Sequence, residues 1–245
     1  MNKLPLLVVS VLPILVCGYY IYKKDFDAEP TDLLIKLLVG GVLSVIPVFF
    51  IEHLLDNIFP NTDFMTNIQF MVYIFIDIAF VEEVFKWFIV YTFSYGSREF
   101  DYMFDGIVYA TFVSLGFAAI ENLLYVVYSE TLYIGLKVGI LRGLISVPSH
   151  VSFGIIMGIF LSKSKKYLFK DKELLSALML ICSIIIPSIL HAIFDCLLYL
   201  EDKYLSVFCV YYILLIAVSF ICLTKVAKEK KHIYYTKALK IKKSD

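Results

Sequence analysis

Inside a long apolar run, the segment FVEEVFKWF (residues 80–88) carries Glu82, Glu83 and Lys86. Glu82 and Lys86 are four apart and Glu83 and Lys86 three apart, so on a helix both acids share the lysine's face. Two adjacent carboxylates in hydrocarbon cannot both ionise cheaply unless a cation or a metal balances them. That is the environment of a general acid or base. Other apolar runs repeat the anomaly. Glu121 and Asn122 stand in GFAAIENLLY, Lys137, Arg142 and His150 in the next run, and His191 and Asp195 in PSILHAIFDCLLY. His191 and Asp195 are four apart, so Asp195 can hold one ring nitrogen of His191 and fix its tautomer. Ionisable groups inside a membrane are costly and face a bundle interior, where they are paired or functional.

The chemistry open to such a set is water activation by Glu82 or Glu83, with His191, Asp195, Glu121 and His150 completing the centre. Lys86, Asn122 and Arg142 would support it. Glu82, Glu83, Glu121, His150 and His191 are also candidate metal ligands, and Zn²⁺ would accept such a set with one position open for water. No H-E-x-x-H is present, and no serine or cysteine has a convincing nucleophilic partner. Plainer readings stand beside these. Glu82–Lys86 can be a buried ion pair, His150 a core imidazole, and Asp105 a helix N-cap or a complement to the helix dipole. Asp77 fits either kind of reading.

The elements that must position these groups are membrane helices. Of 245 residues 60% are hydrophobic, with a mean hydropathy of +0.84. Soluble domains hold about 45–50%. The expected class is an all-α polytopic bundle of about seven spans, near 4–22, 33–51, 67–94, 104–128, 134–161, 174–199 and 204–224. The first is read as an uncleaved span, because a small-residue cleavage pattern is missing. Pro148 and Pro187 would kink spans five and six. The five cysteines lack C-x-x-C spacing, so neither disulfides nor a thiolate site is expected. A formal net charge of zero argues against a nucleic-acid partner.

Orientation follows from Lys and Arg in the loops. Segments 23–32, 95–103, 162–173 and 225–245 hold 2, 1, 5 and 8 of them, sixteen together, against Lys3 and Lys203 on the other side. This predicts an outside N-terminus and a cytoplasmic C-terminus. The polar centre then lies between the midplane and the outer face. Residues 1–245 read as one integral membrane domain, with a motif-bearing core at 67–199 and a basic cytoplasmic tail at 225–245.

The motifs together resemble a known family. EEVFK (82–86) is similar to the E-E-x-x-K motif of the PrsW intramembrane proteases. FDGIVYATFVSLGFAAIENLLY (104–125) resembles the second block, with its F-x-x-x-E element at Phe117 and Glu121. RGLISVPSHVSFGIIMGIFLS (142–162), with His150, resembles the third, and HAIFD (191–195) the final H-x-x-x-D. The likeness covers roughly residues 70–200. The more distant CAAX-protease and bacteriocin-processing superfamily has E-E-x-x-x-R and F-x-x-x-H; here Lys86 and Glu121 depart from it.

The resemblance implies a bacterial multi-pass protease cutting a membrane-anchored substrate, in the family's named example an anti-sigma factor, with the first cut on the extracytoplasmic side. By analogy with the wider superfamily it favours Glu82 as base. Two other functions compete: a proton- or ion-coupled transporter, against which no inverted repeat is visible, and a non-catalytic relative that binds membrane proteins.

Overall fold

The computed structural model describes residues 4–59, 65–199 and 204–233. Lys3, Lys203 and residues 234–245 of the expected basic tail lie outside them. The described residues form helices α1 (Leu4–Lys24), α2 (Thr31–Asp56), α3 (Asn67–Tyr73), α4 (Phe80–Val90), α5 (Asp105–Val127), α6 (Leu132–Leu144), α7 (Ser146–Leu168), α8 (Glu173–Tyr199) and α9 (Leu205–Glu229). π-Helical turns at Ile74–Ala79 and Tyr91–Tyr95 continue α3 into α4 and extend α4. One isolated β-bridge pairs Tyr102 with His232.

Six helical runs among the described residues are long and apolar enough to cross a membrane: α1, α2, α5, the run 132–168, α8 and α9. Their outward faces expose Leu15, Phe49, Ile213 and Ile221, as lipid rather than water would require. The chain is an all-α polytopic membrane bundle. The expected span at 67–94 is built differently from the others. It is a series of short α and π pieces, about 40 Å end to end at helical rise.

α5 is the inner helix and packs on α1, α2, α4, α6 and α7. Small residues permit this. A Cβ on Gly116 would strike the backbone carbonyl of Leu38 in α2, and one on Gly41 that of Val113 in α5. Backbones approach closely where such residues face each other.

The kink expected from Pro148 is a break at Ile145, which ends α6 and starts α7 with φ −116° and ψ −60°. Pro148 has no N–H for the carbonyl four residues back, that of Leu144. The Tyr212 hydroxyl donates to that carbonyl instead, at 2.6 Å. Asp105 is not an N-cap. It is the first residue of α5, and its Oδ2 accepts from the backbone N–H groups of Asp101 and Tyr102 at 2.9 and 2.6 Å. All five cysteines are free. Residues 225–229 of the expected tail are the last part of α9. The chain then pairs with the 101–103 loop, where Met103 N–H donates to Lys231 and Ile233 N–H to Asp101.

Candidate active site

Lys86 is the hub. Its Nζ lies 2.9 Å from Glu82 Oε2 and 2.8 Å from Glu83 Oε1, as the i, i+4 and i, i+3 spacings require. It also lies 3.3 Å from His150 Nδ1 on α7. An ammonium has three donors, and here they meet three acceptors. The Phe117 ring of α5 lies 4.0 Å from Nζ and closes the remaining side. Lys86 and Glu83 are fully buried.

Each imidazole has a carboxylate behind it. Lys86 can only donate, so His150 Nδ1 accepts and Nε2 carries the proton toward Glu121 Oε2, 2.8 Å away. Glu121 Oε1 takes Arg142 at 2.7 Å. Arg142 Nε donates to Asn122 Oδ1 at 2.9 Å, and Asn122 reaches the Ser10 carbonyl of α1 at 3.3 Å. On α8, His191 Nε2 stands 3.3 Å from Asp195 Oδ2. Its Nδ1 points to the hub, 3.1 Å from Glu83 Oε1 and 3.9 Å from Glu82 Oε2. The two imidazole rings are 5.4 Å apart and nearly perpendicular.

The nine residues singled out from the sequence thus meet in one cluster, drawn from α4, α5, α6, α7 and α8. Lys137 does not join it and is exposed on α6. Asp77 sits apart, buried on the first π turn with Oδ1 lacking a partner. Sequence reasoning missed two neighbours. Phe153 stacks on His191 at 4.8 Å and 23°, and Glu52 of α2 lies within electrostatic reach of Glu82 and Asp77. Three-residue spacing from His150 would have pointed to Phe153; Glu52 fell just beyond the expected end of span two.

A family model described as PrsW family intramembrane metalloprotease matches residues 29–223. The chain belongs to that family. The match takes in α2 and most of α9, and so extends beyond the motif-bearing stretch. Three similar proteins are called Protease PrsW. That of Oceanobacillus iheyensis is 39% identical over 80% of this chain and 83% of its own. That of Geobacillus kaustophilus is 35% identical over 76% of each. That of Clostridioides difficile is 33% identical over 98% of this chain and 99% of its own. No solved structure matches. The PrsW-family chain is therefore a multi-pass bacterial membrane protease, and the transporter reading falls.

The family description implies a metal, and the cluster fits one. Donor atoms of Glu82, His150 and His191 lie within 4.8 Å of one another. Two imidazoles and a carboxylate leave a position open on zinc-like ions. Carboxylates behind both rings are the usual outer partners of metal-bound histidine. The Lys86 ammonium stands in as the cation, and Glu83 Oε2 is a buried oxygen with no hydrogen-bond partner. Of the five candidate ligands, Glu83 and Glu121 fall outside this group of three.

Proposed function

We propose that this protease hydrolyses a peptide bond of a membrane-anchored regulatory protein, an anti-sigma factor, with water activated at the Glu82–Glu83 pair. The observation that carries it is the pair of carboxylate-backed imidazoles facing two buried glutamates. Glu82, His150 and His191 would hold the metal. When bound there, a divalent ion such as Zn²⁺ supplies Lewis acidity to a carbonyl and to water.

The remaining work belongs to the side chains. The unpartnered Oε2 of Glu83 supports giving it the water's proton, so that the oxygen attacks the scissile carbonyl carbon. As the C–N bond breaks, Glu83 returns the proton to the leaving amine. This moves the base role from Glu82, favoured by analogy, to its neighbour, because the Glu82 carboxylate is the one that faces both imidazoles. Asp195 and Glu121 hold the outer nitrogens of His191 and His150, and Arg142 anchors Glu121. Lys86 neutralises the acid pair. The sixteen-to-two asymmetry of basic residues supports a first cut on the extracytoplasmic side.

Reconstitution with a single-span anti-sigma factor tests this. The wild type cleaves it, and Glu82→Gln, Glu83→Gln and His191→Ala lose cleavage while staying folded. Wild-type rates in all three variants would overturn the site.

A further inference from the structure

α9 carries none of the nine clustered residues, yet it packs mainly on α7 and α8, the two helices that bear the histidines. Its adjacent tyrosines point roughly 100° apart around the helix, and each donates to a backbone carbonyl beside one histidine. Tyr211 Oη donates to the Leu190 carbonyl at 2.5 Å. That carbonyl belongs to the peptide bond leading into His191. Tyr212 Oη donates to the Leu144 carbonyl at 2.6 Å. This is the carbonyl that Pro148 leaves without a backbone donor, at the break from which α7 carries His150. Aromatic rings fill the space between. Phe208 of α9 lies 5.6 Å from Phe194 of α8, and Phe194 lies 6.2 Å from Phe153 of α7. Phe153 stacks on His191 at 4.8 Å and meets His150 edge-on at 6.1 Å. These phenylalanines, both tyrosines, Ile145 and Leu190 belong to one apolar cluster.

We propose that Tyr211 and Tyr212 are positioning residues for the reaction, a pair of hydroxyls that clamps the α7 and α8 backbones and so sets the 5.4 Å separation of the two imidazoles. The proposal rests on the hydrolytic reading above. The carboxylates behind the rings do a different job. Asp195 sits on the same helix as His191, and Glu121 reaches His150 from α5, so they fix how each ring is turned and not how far apart the two backbones stand. Ser164 and Ser176 join α7 to α8 directly, but fourteen residues from His150 along α7, about 21 Å at helical rise. At the level of the histidines the link between the two backbones runs through α9. Two hydroxyls on successive residues of one helix hold both carbonyls against a single rigid element.

The test uses the full-length protein in detergent with a single-span substrate. Phenylalanine at either position keeps the ring and removes only the hydroxyl. Tyr211→Phe and Tyr212→Phe should each lower kcat by about tenfold, and together by about 100-fold, the cost of misplacing reacting groups by about 1 Å. KM should stay within about twofold, as when an interaction made in the transition state is lost. Leu223→Ala is the control, since Leu223 is fully buried on α9 far from both tyrosines. It should lower the unfolding temperature at least as much as either tyrosine variant and leave kcat and KM unchanged. A second measurement needs no turnover. Co²⁺ is titrated into each protein against a competing chelator and followed by its visible absorption. The tyrosine variants should hold Co²⁺ about 10–100-fold more weakly, with a changed spectrum, as when outer partners of a ligating histidine are lost; Leu223→Ala should match the wild type. Wild-type kcat and Co²⁺ affinity in the double tyrosine variant overturn the clamp. An equal loss in Leu223→Ala also overturns it, because any loosening of α9 would then serve. Failure of the wild type to cleave overturns the hydrolytic reading alone, since the Co²⁺ spectrum reads the two imidazoles independently.

Discussion

The ammonium of Lys86 lies 3.3 Å from Nδ1 of His150, the ring nitrogen that Glu121 leaves without a proton. That lone pair is also the one a metal would take. Lys86 and the ion therefore compete for one acceptor, and the lysine already satisfies the charge of the two glutamates.

Lys86→Met should expose this. Removing one member of a buried ion pair costs about 3–5 kcal/mol, because the other charge stays behind. Chelator-treated Lys86→Met protein in detergent should unfold at a markedly lower temperature than chelated wild type. Zinc at about a hundred times its Kd should return about 2.7 kcal/mol. Equal midpoints for the two chelated proteins would show that the ammonium is not the needed counter-charge.

The two glutamates should separate by metal content. Glu82→Gln is expected to purify without stoichiometric metal and without activity. Glu83→Gln should keep the metal and lose roughly 10²- to 10⁴-fold in rate, the usual worth of a general base. Elemental analysis beside a cleavage assay decides it; metal loss in Glu83→Gln alone reverses the two roles.

Glu121 and Arg142 act behind His150. Glu121→Gln and Arg142→Gln should each weaken metal affinity or activity by about 10–100-fold, the range for outer partners of a ligating histidine. A zinc titration followed by competition with a chelator measures this. Affinity equal to wild type in both variants would make the Glu121–Arg142 pair a packing feature only.

Stability should fall with rising pH through the loop between α1 and α2. Burial pushes the Glu29 carboxyl up from 4.5 to about 9, and that of Asp25 from 3.8 to about 6. The folded chain holds protons that the unfolded chain has released. The stabilisation is complete below the unfolded values and is lost as pH climbs through the folded ones. Glu29→Gln keeps an acceptor for the Tyr109 hydroxyl. It should flatten the slope of unfolding temperature between pH 5 and 9 and unfold later than wild type at pH 9. A slope identical to wild type would remove Glu29 from the account.

Much of the site was readable because a helix places i, i+3 and i, i+4 residues together. Glu82, Glu83 and Lys86 meet for that reason, as do His191 and Asp195. The contacts that assemble the centre, Lys86 with His150, Glu83 with His191 and Glu121 with His150, cross between helices, and no spacing in one chain encodes them. The family motifs grouped those residues without giving their pairing. The spans were legible from apolar length. The π turns at Ile74–Ala79 and Tyr91–Tyr95 were not, because an extra residue per turn leaves the hydropathy unchanged. Pro148 signalled a disturbance, but its place at Ile145 depends on the Leu144 carbonyl finding Tyr212.

Gly116 sits against the Leu38 carbonyl, and the next residue, Phe117, carries the ring beneath Lys86. Gly116→Val should cost at least about 2 kcal/mol of stability through overpacking against backbone that cannot yield, read as a lowered unfolding temperature in detergent. The wider consequence concerns evolutionary freedom. The lipid-facing surfaces of α1 and α9 can drift widely, since any apolar side chain serves there. The seam between α2 and α5 cannot, because a single methyl group would push the aromatic floor away from the charges it covers. Variation among functional descendants of this chain should therefore be lopsided, permissive on the outer rim and nearly frozen at two glycines that perform no chemistry.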